Sequence, residues 1–342
     1  MRVTRESLIR LAKQTAQERA YNDHSIVAAY LTGSLLGSGD PLLGGTTDLD
    51  LVFVHNNQPP AAREIVKLTP DFHLDIRHRA RTDFSSPREL RTDPFLGWEL
   101  YDLMLLYQRE KFFEFIQAGL RAGFEFNAPA LVMARCRLLH SEARRAWFAL
   151  SDVSGEKAGI ADVQMYLAAV NNAANAVAEL TGGPLAERRL LHEFPARAQA
   201  AERPGLAGGL FTLLGAERIN ASVLESWLEP WKTEFLAGAQ RGKVDGRVHA
   251  ARLNYYEKGI RALLHGETPL AGLWPLIHTW TLAASVLFEP LGEAWLEAAQ
   301  QLGLLGEALQ EKISGLDKYL DEIEARLDEV AAANGLETSS SY

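Results

Sequence analysis

The stretch that decides how this chain is read is residues 31–54, LTGSLLGSGDPLLGGTTDLDLVFV. An apolar run over 25–31 (SIVAAYL) leads into it and breaks at Gly33-Ser34. Thirteen residues rich in Gly, Pro and Thr follow, and a second apolar run then opens with Asp48-Leu49-Asp50. Both runs have strand composition. Residues i and i+2 of a strand share a face, so Asp48 and Asp50 stand side by side while Leu49, Leu51 and Phe53 turn to the buried face. Two adjacent carboxylates repel each other unless a cation sits between them, and donors that are all oxygen suit Mg²⁺ or Mn²⁺.

Downstream, residues 72–79 (FHLDIRHR) predict a third strand. Alternation places Asp75 with His73 and Arg77 on one face, and Leu74 with Ile76 on the other. Three carboxylates on neighbouring strands can hold two cations about 3.5–4 Å apart, the arrangement used for in-line displacement at phosphorus. Gly33 allows close approach of the backbone to a ligand, and Ser34 offers a hydroxyl and an N–H to phosphate oxygens, above all if a short helix starts there. The remaining N-terminal elements are a helix over 5–19, a helix-like piece over 61–68, a fourth strand over 103–107 and a helix over 109–122.

After Asn127 the texture changes to long Ala- and Leu-rich segments, broken at 182–184, 203–205, 266–269 and 289–290. Few β-branched runs remain, which predicts six to nine packed helices. The expected fold class is therefore α+β: a short mixed β-sheet domain over 1–125, then an all-α helical bundle over 126–342. A ligand cleft is expected between the two.

In order and spacing, Gly33-Ser34, Asp48-x-Asp50 opening a strand and Asp75 on the next strand resemble the polymerase-β-type nucleotidyltransferase superfamily. The resemblance covers residues 25–80 and extends loosely to about 125. The helical half resembles, in layout and not in motif, the second domain of antibiotic and small bacterial nucleotidyltransferases. The resemblance implies that Gly33 and Ser34 hold the triphosphate of ATP or another NTP. It implies that Asp48 and Asp50 bind both metals, and that Asp75 binds one and helps deprotonate the acceptor. The implied reaction is transfer of a nucleoside monophosphate, AMP from ATP being favoured, to a hydroxyl of a small molecule with release of pyrophosphate. Relatives of the toxin–antitoxin type that modify a protein or a tRNA end are the alternative, as is a catalytically inactive nucleotide-binding module.

Composition narrows the partners. The chain of 342 residues carries 44 acids and 35 bases, a net charge of −9. That balance argues against a nucleic-acid-coating role, although eight of the acids crowd into residues 307–329. The single cysteine, Cys136, excludes a disulfide framework. No run approaches the ~18–20 apolar residues of a membrane span, and the N-terminus lacks the core of a signal peptide. The expectation is a cytoplasmic protein without membrane contact.

Weaker signals carry a bland reading beside the functional one. Arg77, Arg79 and Arg81 either meet phosphates or form a solvated strand end, the second being favoured. The glycines at 37, 39, 44 and 45 lack the Lys-Ser/Thr of a P-loop. His55, His73 and His78 have no metal-ligand spacing. Arg135 and His140 match a loose Arg-x(4–6)-His ribonuclease pattern at the level expected by chance. Asn171, Asn172 and Asn175 either line a polar acceptor pocket or pack helices together. Trp227, Trp231, Trp274, Trp280 and Trp295 read as core rather than stacking platforms. Leu309, Ile313, Leu316, Leu320, Ile323, Leu327 and Val330 form a heptad seam, which either pairs with a second copy or docks on the bundle, docking being favoured.

Overall fold

The computed structural model describes residues 4–37, 39–59, 61–121, 127–153, 157–242, 244–288 and 292–338. The chain divides into two compact units, Met1–Ala128 and Pro129–Tyr342. The first is built on a five-stranded mixed sheet and the second is helical, so the class is α+β.

The strands are β1 (Ile26–Thr32), β2 (Thr47–His55), β3 (Arg63–Lys67), β4 (Phe72–Ala80) and β5 (Met104–Gln108), in the order β3-β4-β2-β1-β5. β2 runs parallel to β4, and the other neighbours pair antiparallel. Alternation sorts the side chains. Leu49, Leu51, Phe53, Leu74 and Ile76 face helix α1 (Arg5–Asn22), which presents Leu8, Ala12, Ala16 and Ala20 at i,i+4 spacing. Three alanines on that stripe let the helix lie close to the sheet. Thr4 starts α1 through a capping box with Ser7.

The opposite face carries a second apolar cluster. Ala28, Tyr30, Val52 and Val54 pack under α2 (Pro87–Thr92), α3 (Leu96–Tyr101) and α4 (Phe112–Arg121) through Leu90, Leu96, Leu100, Phe113 and Ile116. Asp48, Asp50 and Asp75 lie on this same face, nearer the start of β2, outside that apolar cluster.

Two expectations for this unit need correction. Residues 63–67 form an edge strand, not a helix: Ile65 and Val66 favour extended backbone, and the segment pairs with β4 from Arg63↔Arg77 to Lys67↔His73. The helix expected from 109 begins only at Phe112, because Glu110 and Lys111 adopt left-handed backbone at φ +53° and +56°.

The second unit contains ten α-helices among its described residues, more than the six to nine expected. They are α5 (Pro129–Ser151), α6 (Ile160–Ala178), α7 (Leu190–Ala200), α8 (Gly205–Leu213), α9 (Ala221–Ser226), α10 (Leu228–Ala239), α11 (Leu253–Leu264), α12 (Leu273–Ala284), α13 (Glu293–Gln301) and α14 (Glu307–Ala333). The excess comes from short helices such as α9, whose six residues are too few for a periodic signal. The breaker at 289–290 lies outside the described residues.

The weaker signals in this unit resolve into packing. All five singled-out tryptophans are buried, and Trp231, Trp280 and Trp295 donate their indole N–H to Thr279, Glu234 and Thr281. Asn175 accepts the Leu185 N–H at 2.8 Å and donates to the Asn171 carbonyl, which ties α6 to the following loop. Arg135 is fully buried in an ion pair with Glu179 at 3.0 Å, and His140 Nε2 bonds the Leu320 carbonyl. Neither is free for nuclease chemistry.

The heptad seam docks in cis. α14 lies against α5, α6 and α8, with six of the seven seam residues buried and Val330 half-buried. Trp147 donates to the Ile313 carbonyl, and Arg144 pairs with Asp317 and Asp321. Leu320→Ala should therefore cost about 2–5 kcal/mol and lower the melting temperature with no change in sedimentation. A mutant that melts like the wild type but sediments as a smaller species would identify a pairing seam instead.

Candidate metal centre

The centre is assembled by strand register. The antiparallel pair places Thr32 opposite Asp50, and the parallel pair places Asp50 opposite Asp75 and Asp48 opposite His73. The sequence-separated acids thus arrive at one level of the sheet. Asp48, Asp50 and Asp75 each offer an oxygen, and these ligand atoms lie within 4.8 Å of one another. Asp48 is 5% exposed and Asp75 2%, while Asp50 is half-buried.

Gly33 follows β1 directly, at φ +81°, where a side chain would be strained. A Cβ there would lie 2.0 Å from Asp50 Oδ2. Glycine at this position is what allows the carboxylate to pack on the turn. The turn closes through Leu36 N–H to the Gly33 carbonyl at 3.0 Å, and Leu35 anchors it in the core beneath. It is a turn and not the start of a helix, so the N–H dipoles of a helix end are not available at Ser34. The loop returns through Leu43-Gly44-Gly45-Thr46, whose two glycines at φ +65° and +74° match a type I′ turn. Ser34 and Thr47 hydroxyls then meet at 3.2 Å, which straps the turn to the first residue of β2.

Positive charge surrounds the acids. Arg63 Nε donates to Asp75 Oδ1 at 2.7 Å, and its Nη2 donates to Oδ2, a bidentate clamp from the edge strand. Arg77 pairs with Glu99 of α3, and Arg79 lies 3.8 Å from the same carboxylate. Burial opposes the charge on Arg77, but Glu99 first and Asp50 next hold its pKa above the ordinary value. Tyr30, fully buried, donates to Glu99 at 2.5 Å, and burial together with that carboxylate pushes its phenol pKa well up. Arg77 and Arg79 are thus structural cations beside the acids, not the solvated strand end expected. Arg81 leaves the group: it sits beyond the end of β4 and stacks on Phe112 at 5.1 Å.

Of the expected site residues, Gly33, Ser34, Asp48, Asp50 and Asp75 come together. Arg63, Glu99 and Tyr30 were not singled out from the sequence. Arg63 was legible in principle, since Arg-Glu-Ile-Val-Lys alternates around two β-branched residues. His73 is buried on the face of the acids. His55 and His78 lie on the α1 face, bonded to each other at 2.9 Å and flanked by Ser25 and Glu64. Burial lowers both of their pKa values.

No family model and no curated protein matches the sequence. Among solved structures, the chain is similar to a nucleotidyltransferase-like protein from Exiguobacterium sibiricum 255-15, with 10% sequence identity and a TM-score of 0.32. The alignment covers 93% of this chain and 91% of that one. The functional reading rests on the residues of this chain.

The donor set fits a divalent cation of the Mg²⁺ type: oxygen atoms only, converging, and largely withdrawn from water. Gly33→Ala should displace Asp50 and strain the turn. We expect Mn²⁺ affinity, read by electron paramagnetic resonance, to fall at least tenfold, and stability to fall by about 1–3 kcal/mol. Unchanged Mn²⁺ binding would show that Asp50 is not a ligand.

Proposed function

We propose that the protein is a Mg²⁺- or Mn²⁺-dependent nucleotidyltransferase that moves a nucleoside monophosphate, AMP from ATP, to a hydroxyl of a small-molecule acceptor and releases pyrophosphate. The observation that carries this reading is the convergence of Asp48, Asp50 and Asp75 beside the glycine turn at Gly33-Ser34. Buried like charges are costly to hold together. Their retention on three side chains of two paired strands argues for a bound cation.

In this reading Asp48 and Asp50 hold the cations, and Asp75 joins them at one. The cations supply neutralisation of the triphosphate and of the charge that develops on the leaving oxygen. Gly33 keeps the turn free of a side chain, so a phosphate can approach the backbone, and the Ser34 hydroxyl faces that approach with Thr47 as its partner. The acceptor oxygen forms the new bond to the α-phosphorus as the bond to pyrophosphate breaks. The acceptor proton passes to Asp75.

Arg63 constrains that last role. A carboxylate in a bidentate pair with arginine is a weak base, so Asp75 accepts a proton only once Arg63 turns aside. A bound cation at Asp75 would repel the guanidinium and favour that movement. The helical unit is assigned the acceptor, and the net charge of −9 speaks for a small molecule over a nucleic acid.

The test is incubation with α-labelled ATP, Mg²⁺ and a cell extract, followed by identification of the labelled product. Label on a small molecule is expected. Label on a protein or a tRNA end would overturn the acceptor class, and no label in any fraction would favour a binding module without turnover. Asp50→Asn should lower transfer by several orders of magnitude with stability held or slightly raised, because it removes a cation ligand and a repulsion together. Pyrophosphate release near the wild-type rate in Asp50→Asn would contradict the assignment.

A further inference from the structure

A second group of cations lies at the other end of the sheet. Asn56 just after β2 is six residues beyond Asp50, and Arg81 just after β4 is six beyond Asp75, or about 20 Å at the strand rise. There a cavity of about 150 Å³ opens between the start of β1, the end of β2 and the turn after β5, lined by His24, Asn56, Arg81, Arg109, Glu110 and Phe112.

Its two guanidinium groups are unlike the other arginines of this unit's sheet. Arg63, Arg77 and Arg79 each have a carboxylate partner. Arg81 and Arg109 have none within ion-pair distance among the described residues. Arg81 lies over the Phe112 ring at 5.1 Å and reaches Asn56 only at 3.5 Å. Arg109 is held by neutral groups: Nε donates to the Tyr107 hydroxyl at 2.6 Å, Nη1 to the His24 carbonyl at 3.1 Å, and Nη2 lies 3.3 Å from His24 Nδ1. Donation from Nη2 makes Nδ1 the acceptor and leaves the imidazole proton on Nε2 as a further donor. Both cations are thus positioned without being neutralised.

The backbone at the rim is strained as well. Glu110 and Lys111 both adopt left-handed conformations, and Phe112 N–H closes the turn on the Arg109 carbonyl at 3.0 Å. Strain of this kind clusters at active sites, ligand clamps and switch regions. Guanidinium pairs match phosphate oxygens in a way that a point charge does not. At about 150 Å³ the cavity is smaller than the roughly 300–1,000 Å³ of sites that enclose a drug-sized ligand.

We propose that this cavity binds a small phosphate-bearing ligand, a phosphoryl or diphosphoryl group held between Arg81 and Arg109, at a site separate from the acidic centre. The proposal does not depend on the nucleotidyltransferase reading. Among the described residues Glu110 is the one carboxylate lining the cavity, and it opposes the anion.

The test is calorimetric titration of the full chain in EDTA with inorganic phosphate, pyrophosphate and glycerol phosphate. Saturable binding of at least one is expected. Tighter binding of glycerol phosphate than of both free anions would identify an esterified ligand, and the reverse a free oxyanion. Arg81→Gln, at an exposed position, should weaken binding about tenfold or more with an unchanged melting temperature, and Arg109→Lys should do the same. Glu110→Gln should tighten it severalfold, and Asp48→Asn should leave it within twofold. The proposal is overturned if none of the three probes binds saturably. It is equally overturned if Asp48→Asn abolishes binding while Arg81→Gln does not.

Discussion

The parallel pairing of β2 with β4 is the constraint on which the rest of the first unit depends. It sets Asp50 opposite Asp75 and brings three carboxylates to within 4.8 Å. A shift of that register by one residue would turn the acids into the apolar face under α1 and expose Leu74 and Ile76. The hydrophobic core on one side of the sheet therefore holds the polar centre on the other in place. The stability of the core is what makes the crowding of like charges tolerable.

That crowding is balanced by cations delivered from separate elements. Arg63 comes from the edge strand and clamps Asp75, while Arg77 and Arg79 meet Glu99 from α3. Each arginine is tied to a carboxylate, so the acidic centre is embedded in a network of alternating charge rather than left as a bare cluster. At the far end of the same strands the pattern inverts. Arg81 and Arg109 are positioned by an aromatic ring, a phenol and a histidine, with no carboxylate within ion-pair distance among the described residues. One sheet thus presents an acidic end and a basic end, the first suited to a divalent cation and the second to an oxyanion.

How much of this was legible in the sequence follows from the strength of each periodic signal. β1, β2, β4 and β5 announced themselves by β-branched and apolar runs, and Asp48, Asp50 and Asp75 followed from period-two alternation alone. β3 did not. Its five residues carry three charges and only two apolar positions, and their meaning comes from pairing with β4. With β3 misread, Arg63 was lost, and with it the ion pair that most affects how Asp75 can act. Glu99 lies on a six-residue helix too short for a period, and its link to Tyr30 spans 69 positions in the chain. In the helical unit the long seam of α14 was plain, whereas the count of helices was not, because several are only two turns long.

The central claim is that Asp48, Asp50 and Asp75 form one divalent-cation site and that Arg63 yields Asp75 to it. The most direct measurement is a crystal structure of the full chain with Mn²⁺ and a non-hydrolysable ATP analogue, read by anomalous scattering. The account predicts an anomalous peak coordinated by oxygens of Asp48 and Asp50 and by the analogue's phosphates, with the Arg63 guanidinium displaced from Asp75. An acidic centre that stays free of Mn²⁺ at saturating concentration, with Arg63 still clamped on Asp75, would contradict it.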